Sequence, residues 1–326
     1  MNIDRRILLA ALAACFLHAP LAVQAQSDWP AKPVTMILPY PPGGLGDTVA
    51  RRLSARLSEM WKVPVTVDSR PGAGGLLGAG LVAKAPADGQ TLLFTIPETL
   101  SITKAAKSPQ DFDPVDDFQP LALVTLSSTV LAVPAGSPHK TFAEFLDFAR
   151  KNPGKLNFGV QGTGSGFHLA LEQLKAMSGT QITAIPYKGA APTMVDLLAG
   201  RIDGIIVSTS VTIPHVQSGK LRVIAVASKD RVPQMPGVPT IAESGLKGYE
   251  APVGLAVFAR AGTPAAIVSK ASTDIRRVMH EPPMLEYLSG VAATTTDLTP
   301  AEFRERIQRE VKTFAQLIEK AGIKLE

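Results

Sequence analysis

The chain has a single cysteine, Cys15, so no intramolecular disulfide can form and the fold does not depend on one. Aromatic residues are only 6% of the 326 positions, too few for a surface that stacks sugars or bases. After residue 25 no apolar run approaches the ~18 residues of a spanning helix. Charge of one sign is not concentrated anywhere. A formal net charge of +5 is scattered along the sequence and gives no basic face for nucleic acid. His139, His168, His215 and His280 never fall at helical i,i+3 or i,i+4 spacing, so a zinc site has no support. Asp111, Asp113, Asp116 and Asp117 lack the spacing and glycine of a calcium loop and read as a solvated loop. No metal or cofactor is expected.

What is present is enough for a large core: 45% hydrophobic residues against 19% charged. The length suits about two domains. Glycine and proline number 27 each with no short period, which predicts many tight turns.

The first 25 residues read as a secretory leader. Arg5-Arg6 precede an unbroken apolar run of 11 residues, Ile7 to Leu17, and Val23-Gln24-Ala25 supplies small residues before a cut at Gln26. A rival cut exists at Leu12-Ala13-Ala14-Cys15, which fits a lipoprotein signal. Removing residues 1–25 takes away Asp4, Arg5, Arg6 and Cys15 and lowers the net charge from +5 to +4.

From there strands and helices alternate. Val34 to Leu38 is an apolar strand ended by Pro41-Pro42-Gly43-Gly44. Val49, Leu53, Leu57 and Met60 then form a helical stripe. Strands follow at Val63–Val67 and Thr91–Ile96, with a small-residue helix, Leu76 to Lys84, between them. A second such unit has strands at Leu121–Leu126, Val130–Val133, Leu156–Gly159, Ile182–Ile185, Ile202–Val207 and Leu221–Ala227. Its helices cover Thr141–Lys151, Gly166 to about Met177, and Ala191–Leu198. The C-terminal part has a strand at Gly254–Ala259 and helices at Pro264–His280, Met284–Ser289 and Pro300–Ala321. The last is amphipathic, and its charged side reads as a solvated face. Two α/β units imply two lobes, each a mainly parallel sheet flanked by helices, with the ligand in the cleft at the carboxyl ends of the strands.

Two glycine loops stand out. Tyr40 to Asp47 joins a strand to a helix, so bare amides at a helix start can meet a carboxylate or phosphate; a tight turn with Asp47 capping the helix fits equally. Gly162 to Gly166 repeats the arrangement, with Ser165 as an N-cap and His168 three residues on. Neither is a P-loop. Thr163 and Phe167 stand where a nucleophile elbow needs glycines, which weakens a Ser165–His168 hydrolase. Gly78-Ala79-Gly80-Leu81-Val82-Ala83 matches a dinucleotide fingerprint but lies inside a helix and reads as close packing.

Several segments in order resemble one family, the Bug/TctC extracytoplasmic solute receptors of tripartite tricarboxylate transporters. They include Pro41 to Asp47 with Ala50-Arg51, Ser69 to Gly75, Ala87 to Leu93 and Asn152 to Leu156. Gly162 to Ser165 with His168-Leu169, Pro186 to Pro192, Gly219 to Arg222 and Val238 to Glu243 follow. The resemblance implies a two-lobe, type II-like periplasmic binding protein, monomeric and without catalytic activity. It would capture a small di-, tri- or aromatic carboxylate for membrane transporter subunits. It implies lobes at residues 28–126 with 252–326 and at 127–251, hinged near Ser127 and Ala251. Carried over, the ligand-binding residues are Tyr40, Pro42, Gly43, Gly44, Leu45, Asp47, Ser128, Gln161, Gly162, Thr163, Ser165, His168, Tyr187 and Val207. Val207 stands where many members carry an aspartate, so an apolar wall of Ile206 and Val207 and a ligand without an ammonium group are expected. The alternatives are a secreted α/β hydrolase and a receptor serving a membrane signalling protein.

Overall fold

The computed structural model describes residues 29–187 and 189–322. The leader, its cut at Gln26, Cys15 and Lys188 of the Pro186 to Pro192 segment lie outside the described residues. β1 (Val34–Leu38), α1 (Leu45–Trp61), β2 (Val65–Ser69), a 3-10 turn (Ala73–Gly75), α2 (Leu76–Ala83), β3 (Thr91–Thr95), α3 (Pro97–Ala105) and β4 (Phe118–Ser127) come first. The middle run is β5 (Thr129–Pro134), α4 (Phe142–Lys151), β6 (Asn157–Val160), α5 (Gly166–Ser178), β7 (Thr183–Pro186), α6 (Ala190–Leu198), β8 (Gly204–Ser208), α7 (Thr209–Gln217) and β9 (Leu221–Val226). The chain then adds β10 (Val253–Arg260), α8 (Ala265–Met279), α9 (Pro282–Gly290), β11 (Ala293–Thr294) and α10 (Pro300–Ala321).

The strands form two sheets, in the order β11-β4-β10-β3-β1-β2 and β7-β6-β8-β5-β9. Both are mixed. β1 runs parallel to β2 and β3, and β6 to β7 and β8, because helices carry the chain back over the sheet between these strands. The remaining pairs are antiparallel, so "mainly parallel" describes only part of each sheet. The cause is local: β4 runs straight into β5 through Ser128 with no crossover helix, and β10 returns between β3 and β4 against both.

Each sheet is covered on both faces. In the first, Leu53 and Leu57 of α1 and Ile275 of α8 cover one face, while Val82 of α2, Leu100 of α3 and Phe303 of α10 cover the other. In the second, Phe145 of α4 and Leu171 of α5 lie on one face, Met194 and Leu197 of α6 on the other. Gly78 lets α2 approach β1: an added Cβ would sit 2.8 Å from the Cβ of Pro39. The fingerprint-like glycines therefore serve close packing, Gly78 against the end of β1 and Gly80 against the Phe112 ring.

Three elements have no counterpart in the sequence pattern. α3 starts at Pro97 without a side-chain cap, and Pro97, Glu98, Leu100, Ser101, Ile102 and Thr103 are all buried, so it shows no amphipathic stripe. α7 contains Pro214 and several β-branched residues, which disguise a helix. β11 has only two residues.

The chain crosses between the sheets at two adjacent places. Val253 at the start of β10 pairs with Ser127 at the end of β4. Thr209 donates to the Ser128 carbonyl from its N–H at 3.0 Å and from Oγ1 at 2.8 Å. Thr129 Oγ1 donates to the Ala251 carbonyl at 2.7 Å. The crossings are thus tied to the second sheet immediately after they leave the first.

Candidate ligand-binding cavity

A cavity of about 1020 Å3 opens between the two sheets. Its walls include the segments after the carboxyl ends of β1, β2 and β3 and those after β6 and β7. This is where open α/β sheets leave a crevice. Of the expected residues, Tyr40, Gln161, Gly162, Thr163, Ser165 and Tyr187 line it; Pro42, Gly43, Gly44, Leu45, Asp47, Ser128, His168 and Val207 do not.

The two glycine loops are built alike. In each, a side chain in the first helical turn turns back to accept an amide four residues earlier. Asp47 Oδ2 accepts the Gly43 N–H at 3.1 Å, and His168 Nδ1 accepts the Gly164 N–H at 2.9 Å. Asp47 is not the N-cap; Gly44 is, and Asp47 is the acidic residue of the first turn, held by Arg51 Nε at 2.8 Å. That back-bond consumes the Gly43 amide and leaves Pro42, Gly43 and Gly44 exposed. Tyr40 closes the inner end of this loop. Its hydroxyl lies 3.0 Å from Thr95 Oγ1 and accepts the Ile96 N–H at 3.3 Å. Burial is the main cause that raises its pKa.

In the second loop Ser165 is the N-cap, and its Oγ accepts the His168 N–H at 3.2 Å. Among the described residues the Gly162 and Thr163 amides have no protein partner. With the orphan amides of the first turn of α5, they present donors at a helix N-terminus, an arrangement that receives anions. His168 is buried and supports the loop from behind. Its accepting Nδ1 places the ring proton on Nε2, which faces Glu172 Oε1 at 3.6 Å. Burial works against the Glu172 carboxylate, but His168 and Lys175 outweigh it and hold its pKa below the ordinary value. The ring does not bond Ser165 Oγ, so the dyad required by the hydrolase reading is not assembled.

Tyr187 lends its ring to the wall while its hydroxyl donates to Asp196 Oδ2 at 2.8 Å. Gln161 Nε2 reaches the Ile206 carbonyl at 3.5 Å. The expected wall of Ile206 and Val207 is corrected. β8 is the central strand of its sheet with helices on both faces, so alternate residues enter two different cores, and each is only 1% exposed.

The cavity also has walls that the motifs did not indicate. The Gly72–Leu76 turn after β2 lines it, although the same strand–glycine–helix signal used for the first loop was available there. Glu98 and Thr99 of α3, Gln173 of α5, and Arg306, Arg309 and Glu310 of α10 also line it. The polar side of α10 near Arg306 and Glu310 is therefore not a simply solvated face: their side chains are 21% and 16% exposed. The acidic loop is likewise structured, with Lys104 paired to Asp113 and Asp116, and Asp117 accepting the Asp113 N–H.

Two mixed α/β sheets joined by adjacent crossings, with a cavity at the carboxyl ends of their parallel strands, define the periplasmic-binding-protein class. The chain belongs to the TctC family, matching the Tripartite tricarboxylate transporter family receptor over residues 49–323. This is a periplasmic family of solute receptors, not of enzymes. BugT of Bordetella pertussis is 32% identical over 328 residues, covering 100% of both chains. An R. palustris protein solved with adipate is 33% identical with a TM-score of 0.80, covering 90% of this chain and 99% of that one. MatC from Rhodopseudomonas palustris with bound malate is 28% identical with a TM-score of 0.77, covering 89% and 100%.

Proposed function

We propose that this protein captures a small carboxylate between its two sheets and presents it to the membrane subunits of a tripartite tricarboxylate-type transporter. The observation that carries this reading is the second loop: Gly162 and Thr163, whose amides have no protein partner among the described residues, line the cavity at the N-terminus of α5 together with Tyr40. Backbone dipoles of this kind bind an anion without burying an unpaired charge in the free protein. Adipate and malate in the two solved relatives support a dicarboxylate. The lobes are residues 28–126 with 252–326 and residues 127–251, and they close about Ser127 and Ala251. In the closed form the Gly43–Leu45 segment, exposed at its two glycines, meets the ligand from the side opposite Ser165. Residues 1–25 direct export, and the mature chain starts at Gln26.

A thermal-shift screen of di-, tri- and aromatic carboxylates on the mature protein tests this. A ligand at 100 times its Kd adds about 2.7 kcal/mol, which is a shift of several degrees. Silence across the panel, together with turnover of an ester, overturns it.

A further inference from the structure

Glu98 is a buried acid at the junction of the cavity and a crossing strand. It lies in the first turn of α3, 5% exposed, and lines the cavity. Its Oε1 and Oε2 share the Gly254 N–H, at 3.2 and 3.3 Å. That amide belongs to β10 just beyond its last pair with β3, Ala256 with Thr95, so Glu98 takes over where the ladder stops.

The surrounding charges do not neutralise it. From α10, Arg306 comes within 3.8 Å of Glu98 Oε1 but gives its Nε to Glu310 Oε1 at 2.8 Å. Ser101 donates to the other Glu310 oxygen at 3.2 Å. One guanidinium thus serves two carboxylates. Tyr40 faces Glu98 from the first loop, and Arg309 and Glu250 also line the cavity. Burial first, and then the Glu310 charge, push the Glu98 carboxyl up to about 8. A carboxyl has room for more than the one amide it accepts. As an acid it keeps Gly254 on its carbonyl oxygen and has a hydroxyl left to give.

We propose that Glu98 is a ligand-contacting residue that donates a hydrogen bond to a carboxylate of the captured molecule, so that binding is linked to uptake of one proton. The balance is simple: an ionised Glu98 takes a proton from solvent as the anion enters, and releases it when the anion leaves. The inference rests on the carboxylate-capture reading above and adds to it a second polar contact and a pH dependence.

Calorimetric titrations of adipate and of malate, at about pH 6 and about pH 9, test it. A group that titrates near 8 and must be protonated to bind makes affinity about tenfold weaker at the higher pH. At about pH 8, titrations in phosphate and in Tris should differ in heat by the equivalent of roughly half a proton taken up. In Glu98→Gln the amide donates at every pH, so the variant holds one affinity across the range and takes up no proton. Affinity independent of pH in the wild type, without proton uptake, overturns the inference and leaves carboxylate capture standing. A pH dependence that persists in a folded Glu98→Gln overturns it too. If the variant does not fold, proton uptake by the wild type decides. No binding of any carboxylate at either pH overturns both readings.

Discussion

Asp47 and His168 sit at equivalent places, each in the first turn of its helix and each accepting the amide just before the N-cap, whereas Ser165 is itself the N-cap and accepts the His168 amide. Ser165 caps α5 in the manner its sequence context announces, because an N-cap and the amide it binds lie within one short stretch. Ser165→Ala should cost about 1 kcal/mol and lower Tm by about 2–4 °C. Calorimetry should show weaker carboxylate binding as well, since the loop amides lose their fixed position. Asp47 was harder to place: the glycines around it blur where α1 begins, and the helix starts two residues before it. Gly44 offers a cleaner test of the first loop. Its φ is −83° and a Cβ there meets nothing within 4 Å, so Gly44→Val should leave Tm nearly unchanged. Affinity should fall about tenfold or more, because a branched side chain stands between the loop amides and an approaching anion. Wild-type affinity in this variant would remove the first loop from the site. Glu98 was not legible at all: its amide partner is 156 residues away, and no local pattern links them.

The α3–α10 pairing shows the limit of pattern reading at the level of elements. The stripe of α10 is plain in the sequence, and Phe303 and Ile307 enter the core as it indicates. The Thr299–Glu302 capping box fixes where the helix starts. The fate of the flanking Arg306 and Glu310 depends on α3, whose own burial on several sides hides its periodicity. A stability measurement reads this contact. The Glu98 pKa is raised on folding, so its contribution is fully present below the unfolded value of 4.5 and is lost as pH rises through about 8. Wild-type Tm should therefore fall relative to that of Glu98→Gln between about pH 5 and pH 9, because the amide keeps the Gly254 bond and never ionises. A constant difference across that range would show that Glu98 is not strained by burial.

The whole molecule was legible as two α/β units because strand and helix periods alternate along the chain. The antiparallel returns of β10 and β4 were not, because nothing in a strand's own residues tells its direction. The same returns put both crossings side by side, at Ser127–Ser128 and Ala251–Val253, and two adjacent strands can act as one hinge. Small-angle scattering should show a smaller radius of gyration when a binding carboxylate is saturating; an unchanged profile would mean that the two halves do not close. The most direct measurement is the electron density of the mature protein crystallised with the carboxylate that shifts its Tm most. The account predicts density in the cavity, with a carboxylate on the Gly162 and Thr163 amides beside Ser165. A ligand bound elsewhere, with those amides facing water, would contradict it.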